Sequence, residues 1–346
     1  MYVVRARNVN DALRQGAALL DKHGVLRESR NGPVKVADMP VTTIYERPLE
    51  RVLFDPTRDA NPFFHLVEAL WMLAGRDDLK ILTEYVATMS RFSDDGGKTQ
   101  PGAYGYRWRN HFASGDQLTW AIRRLKADPN DRRVIIQMYD ADIDQPAADN
   151  NGKDIPCNIV AAPWIDAASR LSMTIFCRSN DMILGAYGAN AVHFSFLQEY
   201  LAQGIGVRVG AMNQVSNNFH AYLSNIDKHA EDAARDLYSD NAVSPYPLMG
   251  NANDVVSIQQ FDEDLTFFFD DPAAPGIRSA FLRRVACPMI MAHRAYKNKK
   301  DPKRFENALE IINQCHAEDW QQAGREWLMR RWTNAERAKD DGVNYA

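Results

Sequence analysis

The stretch Asp154-Ile-Pro-Cys157-Asn158, an apolar run, Phe176-Cys-Arg178-Ser179-Asn180-Asp181 and then Leu184-Gly-Ala-Tyr-Gly188-Ala-Asn190 concentrates the chemistry of this chain. It holds a thiol, an arginine beside a hydroxyl, a carboxylate and a carboxamide. Little of that helps a hydrophobic core. It suits an anionic, hydrogen-bonding ligand held beside a nucleophile. Its apolar segments also set the local fold. Residues 159–165 and 171–176 read as a strand pair joined by a polar turn, and residues 190–203 read as a long helix with Val192, Phe194, Leu197 and Leu201 toward the core.

The surrounding chain has 346 residues, 45% hydrophobic and 25% charged, with a net charge of −4. That is an ordinary globular composition, and the mild acidity speaks against non-specific nucleic-acid or membrane-surface binding. No apolar run approaches the roughly 18–20 residues that span a bilayer, and the first residues lack the apolar core of a signal peptide. The four cysteines are widely spaced, without a CxxC or Cys/His pattern for zinc, so free thiols, no metal and a cytoplasmic setting are expected.

Upstream, Asn8 or Asn10 can cap a helix reaching His23, where Gly24 stops it. Arg27 and Arg30 fall in a polar turn. Residues 34–53 read as two or three strands. Asn61-Pro62 opens a strongly apolar helix that contains Glu68, a carboxylate that must be paired, hydrated or functional there. Residues 77–89 read as a second helix, 93–101 as a polar loop, and Gly102-Ala-Tyr104-Gly-Tyr-Arg-Trp108 as a loop under a site. Residues 116–127 read as helix. Arg132-Arg133 then leads into a strand over 134–139. Adjacent strand residues face opposite ways, so this pair can point outward toward a second chain. Residues 141–153 read as polar loop, and 207–215 as a strand closed by Asn217-Asn218-Phe-His220-Ala-Tyr222, which opens another helix. Residues 239–261 read as loop with some strand, 263–270 as a short helix, and the remainder as helical.

In order, Arg30, Glu68-Ala-Leu-Trp71, Gly102–Trp108, Arg132-Arg133, Pro156-Cys157, Arg178-Ser179-Asn-Asp181 with Gly185 and Asn190, and His220-Ala-Tyr222 resemble the thymidylate synthase family, including its pyrimidine hydroxymethylase branch. The resemblance covers about residues 10–235. It implies an α+β fold, a large mixed β-sheet covered by helices. Residues 1–240 would form the catalytic domain and 241–346 a mainly helical extension packed on it.

The resemblance also implies roles. Cys157 adds to C6 of a pyrimidine nucleoside monophosphate, its thiol pulled below the usual value of roughly 8.5 by nearby arginines. Arg30, Arg178 and Ser179 hold the phosphate, with Arg132 and Arg133 donated across an obligate homodimer. Asn190 reads the base edge, and its carboxamide favours uracil, since an aspartate suits cytosine better. His220 and Tyr222 bind the sugar, Glu68 and Tyr104 organise water and proton transfer, and Asp181 meets the folate. The cosubstrate is 5,10-methylenetetrahydrofolate.

Some features depart from the family pattern. Asn158 replaces the usual histidine, no tryptophan stands over the folate (Thr88–Phe92 offers Phe92 at best), and one extra residue separates Asp181 from Asn190. The chain also runs on past the usual apolar tail to Gly342-Val-Asn-Tyr-Ala346. The missing tryptophan and altered tail weaken water exclusion, which favours hydroxymethylation of dUMP, in a phage setting, over hydride transfer. Thymidylate synthase, a CMP or dCMP hydroxymethylase, and a non-catalytic nucleotide- or RNA-binding relative are the alternatives.

Overall fold

The computed structural model describes residues 1–226, 235–249 and 255–340; the chain end from Gly342 lies outside them. Ten strands occur among these residues: β1 (Tyr2–Ala6), β2 (Gly24–Arg27), β3 (Val34–Ala37), β4 (Val41–Tyr45), β5 (Ile136–Gln137), β6 (Asn158–Ile165), β7 (Arg170–Cys177), β8 (Asn180–Asp181), β9 (Arg208–Ser216) and β10 (Phe219–Tyr222). Six form a mixed sheet in the order β1-β4-β9-β7-β6-β5, and four form a small one in the order β2-β3-β10-β8. The architecture is α+β.

The chain divides into two compact units, Met1–Arg58 with Glu68–Asp236, and Asp59–Val67 with Leu237–Ala346. In the first, register shows how the period-2 pattern is used. Ala161, Ile175, Gln214, Thr43 and Val4 form one row across the large sheet, and all are buried. Helix Asn190–Ile205 packs on β7 and β9 and is buried along almost its whole length. The next row, Val160, Phe176, Val215, Thr42 and Val3, lies on the opposite face and is half-buried or exposed. Side chains alternate across a pleated sheet, so this apolar second face is left uncovered by the described residues.

Asn8 caps helix Val9–His23 by accepting from Asn10 N and Asp11 N. Gly24 ends it in extended backbone, not through a left-handed cap. A Cβ there would lie 2.4 Å from the Leu20 carbonyl oxygen, and that close approach requires glycine.

Several expected elements differ. Residues 77–89 do not form one helix. Helix Leu82–Tyr85 ends at extended Val86, and a 3₁₀ turn follows over Ala87–Phe92. The strand expected over 134–139 pairs only at Ile136–Gln137, and its start is irregular. Phe219–Tyr222 is a strand, with helix Leu223–Ile226 after it. The polar segment after Asp140 is helical over Ala141–Asp149 despite Pro146, because Asp140 caps it and buried Asp144 anchors it. Asp144 makes a two-pronged pair with buried Arg107, both contacts 2.8 Å. Removing one partner of such a pair strands the other charge. Asp144→Ala is expected to cost about 3–5 kcal/mol, read as a lower midpoint in urea unfolding. An unchanged midpoint would overturn this.

The second unit is helical. Helix Ile258–Asp270 is longer than expected, and the described residues between 239 and 257 contain no strand. Helices Cys287–Lys297, Arg304–Ile312 and Glu318–Asp340 follow. Phe63 packs edge-on to Trp327, and Asp59 binds Arg331 at 2.7 Å and Arg330 at 3.0 Å. Among the described residues no helix is long and apolar enough to cross a membrane.

Candidate active site

Two cavities meet at Cys157. The larger, about 760 Å³, is lined by Arg30, Arg178, Ser179, Asp181, His220 and Tyr222. The smaller, about 200 Å³, is lined by Glu68, Tyr104, Asp154, Asn190 and His193. The thiol residue borders both. One cavity therefore offers cations and hydroxyls, and the other offers carboxylates and a carboxamide.

The sheet edge positions these groups. Cys157 directly precedes β6, and its carbonyl accepts from Arg178 N at 2.9 Å. Arg178 closes β7 and turns back. Its Nε and Nη2 donate to the carbonyls of Pro156 and Ile155 at 2.9 and 3.0 Å, pinning the segment before the cysteine. Among the described residues its Nη1 has no partner and is available for an anion. Arg30 stands in the exposed loop between β2 and β3. His220 and Tyr222 alternate along β10 and so share a face. His220 is in register with Asp181 on β8, and its Nδ1 lies 2.8 Å from Asn218 Oδ1. Arg132 and Arg133 are exposed and line neither cavity, and Arg133 donates to Asp131 at 2.8 Å.

The expectation for the thiol is corrected. Burial pushes Cys157 above the ordinary thiol value, more than Arg178 and Arg30 pull it down, and Asp154 adds to the rise. The arginines act in the expected direction but do not win. Half-buried Tyr104 accepts from Asn158 N at 3.3 Å, and desolvation of its phenol, with Cys157 and Cys177 nearby, holds it protonated. Cys177 and Cys315 are both pushed up to about 12 by burial.

Asn190 belongs to a side-chain relay. Asn158 Nδ2 donates to Asn190 Oδ1 at 3.1 Å, Asn190 Nδ2 donates to Asn180 Oδ1 at 3.1 Å, and Asn180 Nδ2 donates to Ser216 Oγ at 2.9 Å. Gly185 makes room for it, since a Cβ there would lie 2.7 Å from Asn180 Oδ1. The chain reaches Asn190 through a wide π turn over Met182–Ala189, with non-helical backbone at Tyr187 and Gly188. Such a turn absorbs one additional residue.

Asp181 caps that turn. Its Oδ1 accepts from Ile183 N and Leu184 N at 2.8 and 2.6 Å, while its buried Oδ2 has no partner among the described residues. Burial raises its pKa, and nearby His220 and Arg58 oppose the rise. Asp181 borders the larger cavity, while the orphaned Oδ2 itself is closed off from solvent.

Glu68 Oε2 lies 2.9 Å from His193 Nε2. The contact lacks hydrogen-bond alignment, and both atoms are buried without a hydrogen-bond partner among the described residues. His193 was not singled out from the sequence, although it stands three residues after Asn190 on one helix, a spacing that shares a face. Asp154 was quoted with the cysteine motif but given no role. It lies in the same cavity, its Oδ2 accepting from Gly102 N at 2.7 Å.

Residues 55–264 match the family model described as Thymidylate synthase. A deoxyuridylate hydroxymethyltransferase of Pseudomonas phage M6 is 47% identical over all of both chains. The chain belongs to the thymidylate synthase family. A deoxyuridylate hydroxymethyltransferase of Bacillus phage SP01 is 34% identical over 58% of this chain and 54% of its own. A thymidylate synthase of Symbiobacterium thermophilum is 30% identical over 62% of this chain and 77% of its own. As a thymidylate synthase family enzyme it is a one-carbon transferase, acting with folate at C5 of a pyrimidine nucleotide.

Proposed function

We propose that the enzyme converts dUMP to its 5-hydroxymethyl derivative, with methylenetetrahydrofolate supplying the carbon. The observation that carries this is Cys157 at the junction of the two cavities. A nucleotide with phosphate and sugar in the larger and base in the smaller presents C6 to the thiol. Arg30, Arg178 and Ser179 take the phosphate, and His220 and Tyr222 take the sugar. Asp181, on the wall of the larger cavity, meets the folate ring.

Addition of the thiolate to C6 makes C5 nucleophilic. Tyr104, Glu68 and His193 surround the base and serve the proton movements at O4 and C5. Asn190 offers one free lone pair to N3–H and one free N–H to O4, the pattern of uracil. The hydroxymethyl product rests on likeness to the phage M6 enzyme over both whole lengths. Phe92, which could replace the folate-covering tryptophan, is half-exposed.

The test is mass spectrometry of the product from dUMP and methylenetetrahydrofolate in H₂¹⁸O. The expected product carries one ¹⁸O in the hydroxymethyl group, with no dihydrofolate formed. Thymidylate with an equivalent of dihydrofolate would replace this reading with a synthase, and turnover of dCMP in preference to dUMP would replace the base assignment.

The same reading includes a homodimer formed through the uncovered sheet face, where Phe176, Trp164 and Ile135 are exposed. It accounts for outward-facing Arg132 and Arg133, which would complete the partner's phosphate site. Light scattering is expected to give twice the chain mass. Arg133→Ala and Cys157→Ala chains, each inactive alone, are expected to regain activity on mixing. No recovery from a mixture shown to hold heterodimers would remove the shared site.

A further inference from the structure

Asp154 sits on the wall of the smaller cavity with Cys157, Glu68, Tyr104, Asn190 and His193. One of its oxygens is committed, Oδ2 accepting from Gly102 N at 2.7 Å. That bond fixes the carboxylate plane, and Gly102 itself is held close, since a Cβ there would lie 2.9 Å from Oδ1. Among the described residues Oδ1 has no hydrogen-bond partner, it is not one of the closed-off buried atoms, and Asp154 lines the cavity. A half-buried carboxylate with one anchored and one free oxygen, beside the nucleophile, is built to hold a water.

We infer that Asp154 is the base that activates the water consumed in hydroxymethylation, an assignment that rests on the proposed reaction. The nucleotide at that stage is bonded through C6 to Cys157 and carries an exocyclic methylene at C5. The water oxygen bonds to the methylene carbon. The π electrons move through C5 and C4 onto O4, and the water proton passes to Asp154 Oδ1. Collapse of the enolate re-forms C5=C6 and expels the Cys157 thiolate, which is reprotonated through Asp154 or solvent. No oxidant or reductant is needed, in keeping with tetrahydrofolate leaving unoxidised. Hydride transfer needs no such base.

The electrostatics agree. Burial raises Asp154 to about 6, Asp94 and Asp144 push the same way, and the Gly102 amide and Arg107 oppose them. Glu68, His193, Cys157 and Tyr104 are the other titratable groups facing it across the cavity. A base near 6 is ionised at neutral pH and still accepts a proton readily.

The test uses the full-length enzyme with dUMP tritiated at C5. Tritium release reports methylene transfer and loss of the C5 proton, and mass spectrometry reports hydroxymethyl product. Asp154→Asn keeps an acceptor for Gly102. It is expected to lower product formation about 10²-fold or more while tritium release falls far less. Added 2-mercaptoethanol is expected to trap the methylene as a thioether in a larger share than with wild type. Wild-type hydration is expected to fall as pH drops through about 6, with the variant flat. Asp154→Ala with added formate, a small replacement base, is expected to regain product.

Equal losses of tritium release and product would make Asp154 a positioning residue and overturn the inference. So would wild-type hydration by Asp154→Asn, or no formate rescue in a folded Asp154→Ala. Thymidylate from the wild-type enzyme would instead remove the hydroxymethylase reading on which the inference stands.

Discussion

Cys157→Ala is expected to abolish turnover, by on the order of 10⁵-fold or more, while leaving the fold intact. The size follows from its role, because without a sulfur at C6 the C5 carbon never becomes an enolate-type nucleophile, and no neighbour substitutes. Folding is spared because Cys157 is half-buried and its side chain donates no hydrogen bond; its structural contact is the backbone bond to Arg178. The check is twofold: no product by mass spectrometry, and no covalent complex with 5-fluoro-dUMP and methylenetetrahydrofolate. Product at even one-thousandth of the wild-type rate would leave another group as the nucleophile.

The pH dependence has a definite sign. Burial holds Cys157 above the ordinary thiol value, so the thiolate is scarce at neutral pH and grows as pH rises. Alkylation of Cys157 by iodoacetamide in the free enzyme is expected to climb steadily past pH 9 without a plateau below it. Arg178→Ala removes a cation that favours the thiolate and is expected to move the curve higher still. Peptide mapping separates Cys157 from Cys177 and Cys315, whose burial suppresses reaction. A plateau below the ordinary thiol range would mean that the arginines outweigh burial.

What the sequence reveals follows from how local each cause is. The β6–β7 pair, the cap at Asn8 and the helix opened by Asn61-Pro62 depend on neighbours a few residues away, and they form nearly as read. Helix Ala141–Asp149 does not, because its polar, proline-containing sequence is held by Asp144 reaching buried Arg107, 37 residues distant. The same holds at the site. The type of each group was legible from its motif, but its environment was not. The sign of the Cys157 shift turns on burial, which the spacing of Cys157 and Arg178 does not encode. His193 against Glu68 joins two helices 125 residues apart in sequence, and no local pattern marks the pair. Asp154 stands beside the nucleophile in sequence, but only the cavity shows that one of its oxygens is free.

Asn190→Asp is expected to reverse base preference, and the relay explains how the site can accept the change. In the native enzyme Asn190 Oδ1 takes a hydrogen from Asn158 and its Nδ2 gives one to Asn180. One lone pair and one N–H remain, complementary to N3–H and O4 of uracil. An aspartate keeps the lone pair and loses the N–H, so uracil O4 would face an acceptor. Cytosine presents N4–H₂ there instead, and a protonated aspartate can supply the hydrogen its N3 needs. Each unmatched buried polar group costs about 1–3 kcal/mol, so kcat/KM for dUMP is expected to fall on the order of 10²–10⁴-fold while that for dCMP rises.

The same substitution sets two acceptors against each other where Asn180 Oδ1 meets position 190. Rotation of the Asn180 amide relieves this by turning Nδ2 toward the aspartate. Its Oδ1 then faces Ser216 Oγ, now 2.9 Å from Asn180 Nδ2, and a hydroxyl can donate as readily as it accepts. Ser216 is therefore the element that lets the relay reverse. Ser216→Ala is expected to change dUMP turnover modestly by itself but to destabilise the Asn190→Asp protein further, leaving Asn180 Oδ1 buried and unsatisfied. A double-mutant cycle on thermal stability measures that coupling. Additive effects would mean that Asn190 is oriented without the relay, and undiminished dUMP preference in Asn190→Asp would take base reading away from this residue.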